Sequence, residues 1–216
     1  DYPTNHLGLG TRVSALPYVD GSTIPWPLQD ALAKGLNDVP LLFSSTQAEM
    51  ACAPVAELAN LTLTGLHNFL LHKFAPAYGE AVAEEIFETY RHVHPPELAA
   101  YALDSDTGAA CGLRHLARAA GEGFKAPVYW STLEAGPSGS VDGQRFAYHN
   151  WDFVAASGTF GDYQPSEQDQ NLGMRILDTW YELGSHGHLE ADMGFQAVQH
   201  SLPESVAGSV ISKHTT

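Results

Sequence analysis

Two short apolar runs stand out along the chain: VPLLFSS (39–45) and APVYWSTLE (126–134). The first, a short continuous apolar run, predicts a strand buried on both faces of a parallel sheet, and the second, β-branched and aromatic, predicts a further strand. Between them the apolar spacing changes to that of helices. In YGEAVAEEIFETYRH, Val82, Ile86 and Tyr90 recur every four residues with acids on the other side, the pattern of an amphipathic helix. Asp106 or Thr107 is placed to begin a further helix carrying Leu113, Leu116 and Ala117. A last helix is expected from Ser166, whose S-x-x-D string with Asp169 reads as a capping box. Its stripe is Leu172, Ile176 and Trp180, and Gly184 is its expected stop.

The flanks read differently. Residues 1–38 hold PYVDG and TIPWP, an ordered extended loop with tight turns, followed by a short helix at about Pro27–Gly35. AGPSGSVDGQ (135–144) is a loop, and 203–216 reads as a frayed or separately docked tail. The chain is expected to be one domain, 1–216, of α/β class: few parallel strands flanked by helices. Two strands do not make a stable open sheet, so the sheet is expected to be completed by another chain or a missing N-terminal half.

Composition narrows the partners. Of 216 residues, 44% are hydrophobic, the make-up of a packed globule. The net charge of −15 repels phosphate backbones and anionic lipid surfaces, which argues against nucleic-acid binding. No apolar run reaches the length of about 18 residues needed for a membrane span. DYPTNHLGLG lacks the basic start and apolar centre of a signal peptide. Cys52 and Cys111 are too few for a disulfide framework; they pair together, pair with a missing segment, or stay as thiols. The sequon Asn60-Leu61-Thr62 tilts the compartment towards extracellular or secretory.

Chemistry enters with LLFSSTQAE (41–49) and FAYHNWDFV (146–154). The string PYVDGSTIPWPLQDALAKGLNDVPLLFSSTQAE resembles, in order, the segment leading to the triad acid of type-B carboxylesterases and cholinesterases. That family shows P-V-x-D-G, then I/L-P, an A-L-x-x-G-x-x-N-x-V-P-L-L stretch and T/N-x-x-E. PVYWSTLE is similar to its P-V-Y-x-Y-x-F strand, HNWD (149–152) to its H-G-x-E/D histidine motif, and LGMRILDTWYELGSHG to its closing helix. The likeness covers about 17–189 and is thinnest in the helical middle.

The resemblance implies the C-terminal part of an α/β-hydrolase, with Glu49 as triad acid and His149 as triad base. A neutral imidazole takes the serine proton and later returns it to the leaving group, while a carboxylate holds the ring in the right tautomer. Asp152 falls at the acidic position after the histidine, where a hydrogen bond to loop backbone is expected rather than catalysis. Two departures are visible: SSTQAE lacks the usual glycine, and Asn150 replaces the glycine after the histidine. The nucleophile is missing altogether. No G-x-S-x-G elbow occurs, and GPSGS (136–140) ends in serine where the motif needs glycine.

The resulting expectation is a carboxylic-ester hydrolase subunit whose serine lies on a separate N-terminal chain, active on a small-molecule ester only with that partner. The alternative is a non-catalytic esterase-like binding or structural module in a larger assembly. No cofactor or metal is expected: His92-Val-His94 and His186-Gly-His188 lack a completing ligand set, and the 135–144 loop lacks a Walker lysine. Trp26, Trp130, Trp151 and Trp180 read as core or pocket lining.

Overall fold

The computed structural model describes residues 19–51, 55–141 and 143–190, and the backbone of 209–211. Most of 203–216, and Cys52, lie outside the described residues. The elements in chain order are α1 (Leu28–Ala33), β1 (Leu41–Thr46), α2 (Leu63–Tyr78), α3 (Glu80–Tyr90), α4 (Pro96–Ser105), a π-helical segment (Asp106–Ala110), α5 (Cys111–Gly123), β2 (Val128–Leu133), α6 (Trp151–Ser157), α7 (Glu167–His186) and β3 (Ser209–Ile211). The architecture is mixed: helices around a small parallel sheet of order β1-β2-β3, compatible with part of an α/β fold.

Both predicted strands form, in register Leu41↔Val128 through Thr46↔Leu133. Side chains alternate across the sheet. Val128 and Trp130, with Leu41 and Phe43 beside them, pack under Leu32 of α1 and Ala117 and Ala120 of α5. On the opposite face Leu133 meets Leu172 and Ile176 of α7 and Ala155 of α6. A third core, around Leu66, Leu70 and Tyr101, joins α2 to α4 and swallows Ala48 and Ala51 from the loop after β1.

β1, expected to be buried on both faces, is not, whereas β2 is buried almost throughout. Leu41, Leu42 and Phe43 are half-buried and Ser44 is exposed. The physical reason is position: among the described residues β1 is an edge strand, with β2 on one side only. Leu41 donates its N–H to Pro127, just before β2, at 3.0 Å, and Gln47 donates to Leu133 at 2.9 Å. Parallel alternation then turns the backbone groups of Leu42, Ser44 and Thr46 towards the free edge.

Three helix expectations are corrected. A π-helical segment does start at Asp106 and leads into α5, which carries Leu113, Leu116 and Ala117, but it is no fresh capped start, because the chain is already helical from Pro96. The would-be capping side chains are used elsewhere. Asp106 accepts the Tyr90 hydroxyl at 2.6 Å, and Thr107 donates back to the Leu103 carbonyl at 2.9 Å, the competition that keeps such residues from capping. α7 does not stop at Gly184 but at Gly187, which takes the left-handed φ of 73° and donates to Leu183. Of the α3 stripe, Val82 is exposed and Ala83 takes the buried place, with Ile86 and Tyr90 half-buried. The capping box at Ser166 and Asp169 forms as read, both hydrogen bonds present. Gly35 sits at φ 67° just after α1, as a stop signal should.

Among the described residues, buried Ser45 Oγ, Gln144 Nε2 and both carboxylate oxygens of Asp104 have no hydrogen-bond partner, and Asp104 is the ionisable one. Asp104, on α4 beside the π segment, has no solvent exposure, and neither carboxylate oxygen meets a donor. Burial pushes its pKa up to about 6. An acid raised in this way binds more protons folded than unfolded, so stability falls as pH rises from 3.8 to about 6 and stays reduced above that. Asp104→Asn is expected to flatten this limb and to raise stability at pH 7.5 by roughly 1–3 kcal/mol. Thermal unfolding of both forms at pH 4.5 and 7.5 checks it; equal pH dependence in the two would refute the assignment.

Candidate functional site

The ladder between β1 and β2 does not end with the strands. Gln47 donates to Leu133, Ala48 donates to Ala147 at 2.9 Å, and a parallel bridge pairs Ala48 with Tyr148. The next residue on each side is a sequence-predicted site residue. Glu49 and His149 are thus brought together, with Glu49 Oε1 2.8 Å from His149 Nδ1. Glu49 is largely buried, its side chain 17% exposed, while the His149 side chain is 48% exposed.

Each is held from behind. The other Glu49 oxygen, Oε2, accepts the Thr46 N–H at 2.8 Å and the Thr46 hydroxyl at 2.5 Å. Beyond Glu49, Met50 donates its N–H to Ser105 Oγ at 3.1 Å, fixing the loop to the end of α4. The Met50 side chain lies against Gly108 in the π segment, in space a Cβ there would contest. On the other side, His149 immediately precedes α6, which opens on the fully buried Trp151. Trp151 donates its indole N–H to the Ala135 carbonyl at 2.9 Å and sits among Tyr148, Phe160 and Tyr163. α6 and α7 approach so closely at Gly173 that a Cβ would stand 2.2 Å from the Ala155 carbonyl oxygen.

Asn150 explains one departure from the glycine pattern. Its φ of 67° and ψ of 8° are left-handed, a region that costs most side chains about 1–2 kcal/mol and that asparagine tolerates best after glycine. The loop from 136 to 140 is pinned by Asp169, which accepts from Ser138 N–H and Oγ, Ser166 N–H and Oγ, and Tyr163 hydroxyl. Burial opposes ionisation of Asp169, but the Tyr163 and serine hydrogen bonds outweigh it and hold the carboxyl below its usual range.

Asp152 takes a hydrogen bond from backbone, the Phe153 N–H at 2.9 Å. Burial raises its pKa, the Phe153 N–H partly offsets that, and Glu49 adds to the rise. Asp152 also lines, with Leu42, Ser44 and Trp180, a cleft of about 550 Å3 between β1 and α7. Trp180 is 40% exposed there, whereas Trp130 and Trp151 are core and Trp26 lies under Lys34, 3.4 Å from its ring centre. Among the described residues no hydroxyl hydrogen-bonds to His149.

The other sequence candidates fall into place without converging. His186 pairs with Glu182 at 2.6 Å and His188 with Glu190 at 3.0 Å, on solvent-facing positions. Among the described residues no three His, Cys, Asp or Glu side chains gather as a metal would need. Cys111 is an exposed thiol at the start of α5. Thr46 and Ser105 are hydrogen-bonding neighbours of the candidate pair's loop that motif reading passed over. Thr46 was legible only as the first letter of T-x-x-E; Ser105 gave no signal.

The structure is a small parallel sheet with surrounding helices, compatible with part of an α/β fold, and carries a carboxylate–imidazole pair on loops that follow adjacent strands. No protein-family model matches the chain, and no curated protein matches it. Asn150→Gly is expected to leave stability within about 0.5 kcal/mol, while Asn150→Val costs about 1–2 kcal/mol. Denaturant titration of the two variants measures the difference, and equal loss in both would contradict the left-handed assignment.

Proposed function

We propose that this chain is the C-terminal part of an α/β-hydrolase fold, of the type-B carboxylesterase kind, and supplies the acid and base of a carboxylic-ester hydrolase. The observation that carries the reading is the 2.8 Å contact of Glu49 with His149 Nδ1, on loops that follow two neighbouring parallel strands. That is the carboxylate–imidazole half of a Ser-His-acid triad.

In this reading the serine nucleophile and its oxyanion donors reside on a separate N-terminal chain. Two features support a polypeptide there. β1 offers an unpaired edge among the described residues, and an unpaired edge invites a further strand. The cleft beside that edge leaves Trp180 exposed, although it continues the stripe that Leu172 and Ile176 bury.

The chemistry then runs as acyl transfer to water. The serine oxygen attacks the ester carbonyl while its proton passes to His149 Nε2, and the alcohol leaves with that proton. Water attacks the acyl-serine, again giving a proton to His149, and the acid departs as the serine is restored. Glu49 holds the ring through Nδ1 throughout. Among the described residues no helix is long and apolar enough to cross a membrane, and the strongly acidic surface suits neutral or cationic esters better than anionic ones. Asn60, exposed on the surface just before α2, supports a secretory route; treatment of the natural protein with an N-glycosidase is expected to shift its mobility on a denaturing gel.

Fluorophosphonate labelling of the protein from its natural source, with mass spectrometry of every band, tests the central reading. Label on a second, co-purifying chain is the expected result. Label on this chain refutes the two-chain arrangement. No label on a folded complex would establish the non-catalytic module instead.

A further inference from the structure

A glutamate side chain is a long rotor, and a carboxylate that must orient an imidazole has to be stopped from turning. Here one residue supplies both stops. The amide and hydroxyl of Thr46 converge on Glu49 Oε2, at 2.8 and 2.5 Å, and leave Oε1 for His149 Nδ1. Thr46 is the last residue of β1 and is 3% exposed. Its backbone is fixed by the β1–β2 register, and a β-branched side chain has little χ1 freedom. Its N–H belongs to the free-edge side of β1, where Leu42 and Ser44 meet no strand among the described residues, and Thr46 gives its own to Glu49.

We propose that Thr46 is a positioning residue for the pair: by filling Oε2 with two donors it decides which carboxylate oxygen, and which ring proton, meet. With Oε2 occupied, Oε1 is the acceptor left for the ring. His149 then carries its proton on Nδ1 and turns the Nε2 lone pair outward, the form a general base needs. A threonine that merely closes the strand would not affect the ring at all. The placement of Thr46 stands on the geometry; its effect on turnover rests on the hydrolase reading above.

The test separates the two. In the full chain labelled with 15N-histidine, the ring signals of His149, identified by their loss in His149→Gln, report the tautomer directly. Wild type and Thr46→Ser are expected to hold the Nδ1–H form with a slowly exchanging proton. Thr46→Val, or Thr46→Ala if valine does not fold, is expected to mix the tautomers and speed exchange of that proton by about tenfold or more. An unchanged His149 spectrum without the hydroxyl overturns the proposal, and so does Thr46→Ser losing the signature as fully as Thr46→Val. In the complete hydrolytic assembly Thr46→Val is expected to lower kcat by roughly tenfold with KM unchanged, and Thr46→Ser to restore it. A tautomer shift in a complex that hydrolyses no ester with any variant supports the positioning role and refutes the esterase reading.

Discussion

The parallel register of β1 against β2 is the constraint on which the site depends. Beyond the strand ends an isolated bridge from Ala48 to Tyr148, in the loop that follows β2, brings two residues far apart in sequence to neighbouring loop positions. A one-residue slip would turn every side chain to the opposite face. It would put Trp130 against α7 and Leu133 against α5, so the two cores that fix the register also fix the site. The sheet is small, but its registration is not weakly determined.

Around that ladder, each site loop is anchored on its far side by a buried polar contact rather than by more sheet. Met50 is tied to Ser105 on the helix that runs through the π segment, and Trp151 to the Ala135 carbonyl. Both anchors are side chain to backbone, which fixes position without demanding a particular neighbouring sequence. The left-handed turn at Asn150 lets the chain leave the bridge and enter α6 at once. The cost of that conformation is small beside the burial of Trp151 one residue later, since a fully buried aromatic side chain contributes several kcal/mol.

The same structure is conspicuously asymmetric in its burial. β2 is covered on both faces, while β1 shows an exposed Ser44, a half-buried Leu42 and an open cleft towards Trp180. Asp104 is buried without a hydrogen-bond partner among the described residues, a further unfavourable feature of this chain. Edge strand, cleft and exposed tryptophan lie together, beside Asp152 and hence beside the loop that bears His149. A complement at that edge would therefore be registered by the same strand that registers the acid.

By itself the sequence determined the local elements wherever one residue type has one physical reading. The two apolar runs are strands, Ser166 and Asp169 cap α7, and Gly35 ends α1. Glu49 and His149 were legible as candidates through an ordered string of motifs that set an acid and a histidine in a fixed order. What the sequence did not determine follows from competition between local and distant partners. Asp106 looks like a cap until Tyr90, from another helix, takes its carboxylate, and Gly184 looks like a stop until Gly187 supplies the left-handed turn. β1 reads as doubly buried because apolar pattern records what a strand can bury and not which neighbours are present. Only the tertiary structure decided that Thr46 turns back onto Glu49, since a hydroxyl at the end of a strand has no preferred partner until the chain beyond it has folded.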